Sequence, residues 1–140
     1  MFNATSGAWT SGVLPSKVGR QYGTAVGCGL LLIVGGGQVA GGRYGGFDAF
    51  NVRTKAWSSG KLNTSRSHLA AACLGGRYAL FAGGQIPGRT TVDIVDTVTG
   101  AVDLAADPLH YGRGWLSGAQ AGKCVAFGGR KHREPDVWRR

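Results

Sequence analysis

Phe2-Asn3-Ala4-Thr5-Ser6-Gly7-Ala8-Trp9 returns 48 residues later as Phe50-Asn51-Val52-Arg53-Thr54-Lys55-Ala56-Trp57, and a weaker copy, Val95-Asp96-Thr97-Val98-Thr99-Gly100-Ala101-Val102, follows after a further 45. From the end of each copy a second landmark lies 26 residues on, from Trp9 to Gly35, from Trp57 to Gly83 and from Val102 to Gly128. These glycines open doublets that close apolar runs: Leu32-Ile33-Val34-Gly35-Gly36, Leu80-Phe81-Ala82-Gly83-Gly84 and Val125-Ala126-Phe127-Gly128-Gly129. Between the two landmarks stands an arginine followed by small residues, at Arg20, Arg66 and Arg113. Landmarks that keep both order and spacing mark an internal repeat. The chain reads as one domain, 1–140, with units of approximately 2–49, 50–94 and 95–140.

Each unit carries four short strands. One follows the arginine, as in Arg66-Ser67-His68-Leu69-Ala70-Ala71-Ala72. The next ends at the glycine doublet, with the β-branched and aromatic content of a buried strand. A third is Val92-Asp93-Ile94-Val95-Asp96, and a fourth centres on Trp9 or Trp57 after a polar turn. Composition agrees: 26 of 140 residues are glycine, against roughly 7% in an average protein, and each would cost about 1 kcal/mol inside a helix. A single unit cannot bury both faces of its sheet, whereas stacked neighbours can. The fold class expected is all-β.

The order of arginine, small residues, apolar strand, Gly-Gly, Val-rich strand ending in Asp or Asn, and Thr-x-x-Trp resembles the kelch repeat. The resemblance spans nearly the whole chain and is best framed from Arg66 through Val102. It implies blades of a β-propeller, a scaffold whose loops most often bind proteins. The architecture it implies is a partial kelch-like β-propeller of about three four-stranded antiparallel blades, with one blade split between the termini. Residues 113–140 would supply the first two strands of that blade and most of the third, and residues 2–14 its outer strand. Three blades make too tight a ring, so the chain is expected to be a piece of a larger propeller or to associate with a second copy into a ring of six. Val102 departs from the pattern by replacing a tryptophan.

Fold alone does not assign function. Arg20, Arg66 and Arg113 are followed two residues later by Tyr22, His68 and Trp115. One reading is a ring of cationic and aromatic groups near a central channel; the other is that each arginine bridges adjacent blades through carbonyls or a carboxylate. Partner-binding candidates are therefore Arg20, Tyr22, Arg66, His68, Arg113 and Trp115, with Arg130, Lys131 and Arg133 from the basic tail. A net charge of +9 suits nucleic acid or an acidic protein, so a basic nucleic-acid-binding or ribonucleoprotein component is the alternative function. Some kelch-type propellers are copper oxidases or act on sugars. Here the histidines, His68, His110 and His132, have no metal-ligand spacing, the carboxylates are scarce, and no GxSxG occurs. The expectation is a non-catalytic protein-interaction module without cofactor or metal.

Cys28, Cys73 and Cys124 form no CxxC pair and are odd in number, so they read as small hydrophobic residues in strands, in a reducing compartment. The longest clean apolar run, Leu30-Leu31-Leu32-Ile33-Val34, is far short of the ~20 residues of a membrane span. The start of the chain lacks signal-peptide character. Together these place the protein inside the cell, in the cytoplasm, and off the membrane. The core expected between blades is Trp9, Trp57, Ile33, Val34, Leu80, Phe81, Val125 and Phe127.

Overall fold

Asn3, Asn51 and Asp96 each start the same turn. The side-chain oxygen of each accepts the backbone N–H groups two and three residues on: Thr5 and Ser6, Arg53 and Thr54, Val98 and Thr99. The carbonyl of each then accepts the N–H of a residue in the left-handed region, Gly7, Lys55 or Gly100, at φ of 66°, 62° and 79°. Asx side chains stabilise such turns because they imitate a backbone acceptor. This local chemistry repeats along the chain and sets where strands reverse.

A computed structural model of the chain describes residues 1–85, 90–130 and 136–139. Its strands are β1 (Phe2–Asn3), β2 (Ala8–Trp9), β3 (Thr24–Cys28), β4 (Leu31–Gly35), β5 (Gln38–Val39), β6 (Gly42–Arg43), β7 (Gly46–Asn51) and β8 (Trp57–Lys61). They continue with β9 (Ala70–Leu74), β10 (Tyr78–Ala82), β11 (Val92–Asp96), β12 (Val102–Leu104), β13 (Gly114–Ala121), β14 (Cys124–Arg130) and β15 (Asp136–Arg139). Every pairing is antiparallel. Two sheets have four strands, β3-β4-β7-β8 and β9-β10-β11-β12, and a third has three, β13-β14-β15. Strands β1 and β2 form a two-stranded sheet of their own, so the N-terminal segment is paired with itself rather than with β15. Among the described residues no helix is long and apolar enough to cross a membrane.

The three larger sheets stack through their first strands, β3 beside β9 and β9 beside β13. One core lies between the first two sheets, with Ile33, Phe47 and Ala49 against Ala71, Cys73 and Phe81. The other lies between the second and third, with Leu80, Val92 and Ile94 against Val125 and Phe127. Ile33, Leu80, Phe81, Val125 and Phe127 are at most 1% exposed, as their runs suggest, and Val34 is half-buried.

Two expectations are corrected. Trp9 and Trp57 do not pack between sheets: they are 78% and 40% exposed. Trp9 ends β2 and Trp57 begins β8, each the second strand of a hairpin, and each ring rests on the hairpin neighbour, Phe2 at 5.2 Å or Phe50 at 5.0 Å. The cysteines are not three separate small residues either. Cys28 and Cys73 form a disulfide between β3 and β9, while Cys124 is free. The pairing favours oxidising surroundings over the reducing compartment expected.

The phase of the glycine doublets also shifts by one residue. Gly36 and Gly37, at φ 63° and 119°, match Gly83 and Gly84 at 65° and 111°. A Cβ on Gly36 would stand 2.8 Å from the carbonyl oxygen of Arg66 in the next sheet, so side-chain-free backbone is required there.

Candidate functional site

The register aligns Arg20, Arg66 and Arg113 five residues before Ala25, Ala71 and Gly118, which face Val34, Phe81 and Phe127 respectively. These arginines point inward. Arg66 is fully buried: its Nη1 donates to the carbonyls of Gly83 at 3.0 Å and Thr91 at 2.7 Å, and its Nη2 to Thr91 Oγ1 and to the Asp93 carboxylate. Arg20 Nη2 donates to Asp48 Oδ2 at 2.7 Å and to the Val34 carbonyl at 3.3 Å. Among the described residues its buried Nε and Nη1 have no hydrogen-bond partner, and the Tyr44 ring lies 4.9 Å from Cζ. Arg113 is 2% exposed. In the third sheet Asp136 stands opposite Phe127, the register position that Asp93 holds opposite Phe81.

The guanidiniums of Arg20 and Arg66 thus brace their own sheets, from the first strand to the third. What reaches the neighbouring sheet is backbone: Gly37 N–H donates to the Arg66 carbonyl and Gly84 N–H to that of Arg113, each at 2.8 Å. As partner-binding groups these arginines are unsuited, since their donors are turned away from solvent.

Burial and pairing tune the charges. Burial pushes the Asp48 carboxyl upward, but hydrogen bonds from Ser16 and Ser59, and the Arg20 charge, outweigh it and hold it below the ordinary carboxylate value. Burial pulls the Arg66 guanidinium down, opposed by Asp93. Asp96 is held far below the usual range, chiefly by the Arg77 hydrogen bonds at 2.6 to 3.1 Å.

The aromatic residues two places on behave differently. Tyr22, His68 and Trp115 adopt positive φ, 57°, 56° and 50°. A non-glycine residue in that region costs roughly 1–2 kcal/mol, and three at one repeat position are three outliers of the kind that gather at functional sites. The backbones are tied across the sheets, with His68 N–H on the Tyr22 carbonyl at 2.8 Å and Trp115 N–H on the His68 carbonyl at 2.9 Å. The rings form a column: Tyr22 stacks on His68 at 4.1 Å and 19°, and Trp115 leans on His68 at 4.5 Å and 54°. Tyr22 is 52% exposed and Trp115 56%, so the column ends are open to solvent. Desolvation lowers the pKa of the half-buried His68 ring between them.

No protein-family model matches the chain, and no curated protein does. The site is therefore judged on its geometry. Of the nine candidates, Tyr22, His68 and Trp115 form the column, Arg20 and Arg66 brace their sheets, and Arg113 is buried at the equivalent repeat position. Arg130 ends β14, and Lys131 and Arg133 lie outside the described residues.

A second feature escaped sequence reasoning. The face of the first sheet that points away from the second lines a groove of about 620 Å³ with residues Ala25, Gly27, Leu32, Val34, Phe50 and Trp57, closed on its far side by Met1 and residues 10–14. Leu32 there is 39% exposed, whereas its register equivalent Ala79 in the second sheet is fully buried. The signal was present in the repeat, since a face covered in one unit needs covering in the next.

Proposed function

We propose that this chain is a non-catalytic protein-interaction module built of kelch-like blades, a portion of a larger propeller or assembly. The observation that supports this reading is the column Tyr22–His68–Trp115, which spans three sheets and keeps its end residues more than half exposed despite a strained backbone. Large, stiff rings of this type supply contact area at low entropic cost, and Trp and Tyr dominate binding hot spots. Arg20 and Arg66 support the reading indirectly by locking the strand starts from which the first two rings project.

The test is capture of partners from native lysate by the purified chain, with and without nuclease, beside Tyr22→Ala and Trp115→Ala variants of unchanged circular dichroism. Nuclease-resistant capture of protein, lost in both variants, is expected. Capture abolished by nuclease, with affinity falling steeply as salt rises, would transfer the assignment to the nucleic-acid-binding reading that the +9 charge motivates.

A further inference from the structure

The three stacked sheets present two kinds of face. The rear face of the second sheet, carrying Ala71, Cys73, Ala79 and Phe81, is buried by the forward face of the first, carrying Ile33, Phe47 and Ala49. The rear face of the third sheet, with Val125 and Phe127, is buried by the forward face of the second. The first sheet has a rear face of the same register on which no sheet lies among the described residues, and this is the 620 Å³ groove. Among the described residues the third sheet has an open forward face, where Ser117, Ala119 and Ala121 are exposed while their register equivalents Ala70, Ala72 and Leu74 are buried.

The far wall of the groove carries a second clue. The hairpin of β1 and β2 is a copy of the hairpin of β7 and β8: Phe2 pairs with Trp9 as Phe50 pairs with Trp57, with the same ring contact and the same Asn-headed turn. Residue Ser16 donates from its backbone to Asp48 Oδ1 as Asn63 does to Asp93 Oδ1. By position, β2 and the residues after it are the fourth strand of a sheet that would lie on the groove, and the sheet β13-β14-β15 has three strands.

We propose that the groove receives the β13-β14-β15 sheet of a second copy of this chain, and that two copies closed head to tail make a ring of six sheets. In each contact β2 exchanges β1 for the second copy's β15, which places Trp9 at the register position opposite Trp138, as Trp57 is opposite Phe50. The aromatic columns join end to end, Trp115 of one copy next to Tyr22 of the other, and the run of backbone bonds between them continues. A front-to-back contact uses two different surfaces and closes only if its rotation completes a circle; six sheets fall within the 4 to 8 blades that rings of this type use. The open side of β15 then gains a partner strand. The proposal deepens the interaction reading by naming the occupant of the end faces, and it rests on the same stack of sheets.

Sedimentation equilibrium of the purified chain tests it. A discrete species of twice 14.5 kDa is expected. Leu32→Arg, on the rear face, and Ala119→Arg, on the forward face, should each raise the dimer dissociation constant at least about 30-fold, the scale of one interface hot spot. Because each variant keeps one intact face, an equimolar mixture should form a 1:1 complex at concentrations where neither associates alone. A monomer, open-ended growth, a dimer indifferent to both substitutions, or a mixture that stays dissociated would each overturn the proposal. The two readings fail separately: a monomer that still captures protein through Tyr22 and Trp115 leaves the module standing, and a ring that captures nothing does not.

Discussion

Replacing Cys28 and Cys73 by alanine removes a link between the first strands of two neighbouring sheets, 45 residues apart in sequence. Closing a loop of that length in the unfolded chain corresponds to about 4 kcal/mol at 25 °C by the chain-entropy relation. The folded state offers little relief, because the two residues are 1% and 9% exposed within the first core and the truncation also empties part of it. Domains of this kind hold only about 5–15 kcal/mol in total, so the link is a large share of what keeps the first sheet on the second. Urea unfolding followed by tryptophan fluorescence, run with and without dithiothreitol, measures the effect. The oxidised protein should unfold about 4 kcal/mol later than the double variant, and reductant should remove most of the difference. Three reactive thiols in the denatured, unreduced protein, or equal midpoints for the two proteins, would refute the reasoning and return Cys28 and Cys73 to the role of small core residues.

Other substitutions separate packing from pairing. Phe81→Ala should cost about 3–5 kcal/mol because the ring is fully buried between sheets, whereas Trp57→Ala should cost about 1 kcal/mol, mainly its contact with Phe50; thermal or urea melts rank them. Asp93→Asn leaves the buried Arg66 guanidinium without its counter-charge and should cost about 3–5 kcal/mol by the same assay. His68 has a pKa lowered by burial, so the folded chain binds fewer protons than the unfolded one just below the ordinary value of 6.5. Its contribution is complete above that value and declines as pH falls through it toward the depressed folded pKa. A His68→Gln variant should flatten the stability profile there, and an unchanged slope would contradict the assignment.

Strand positions were legible where local chemistry decides them. The turns at Asn3, Asn51 and Asp96 depend on residues a few places apart, and the β11 strand coincides with Val92-Asp93-Ile94-Val95-Asp96. The tryptophans were misplaced because recurrence fixes a repeat position, not its depth, and that position turned out to be the outer edge of each sheet. Arg20 and Arg66 were read half correctly: their acceptors are a carboxylate and carbonyls, but within one sheet. The Cys28–Cys73 link is a long-range contact, although a separation of one repeat hinted that both lie on first strands of adjacent sheets. The positive φ of Tyr22, His68 and Trp115 left no trace in residue type, since glycine or asparagine is the usual occupant of such backbone.

Hydrogen exchange of the chain alone and with a captured protein partner tests the central claim most directly. The account predicts new protection at residues 20–23, 66–69 and 113–116, the strand starts that carry the aromatic column. Protection confined to the opposite ends of the sheets, at the turns containing Arg53, Arg77 and Lys123, would contradict it.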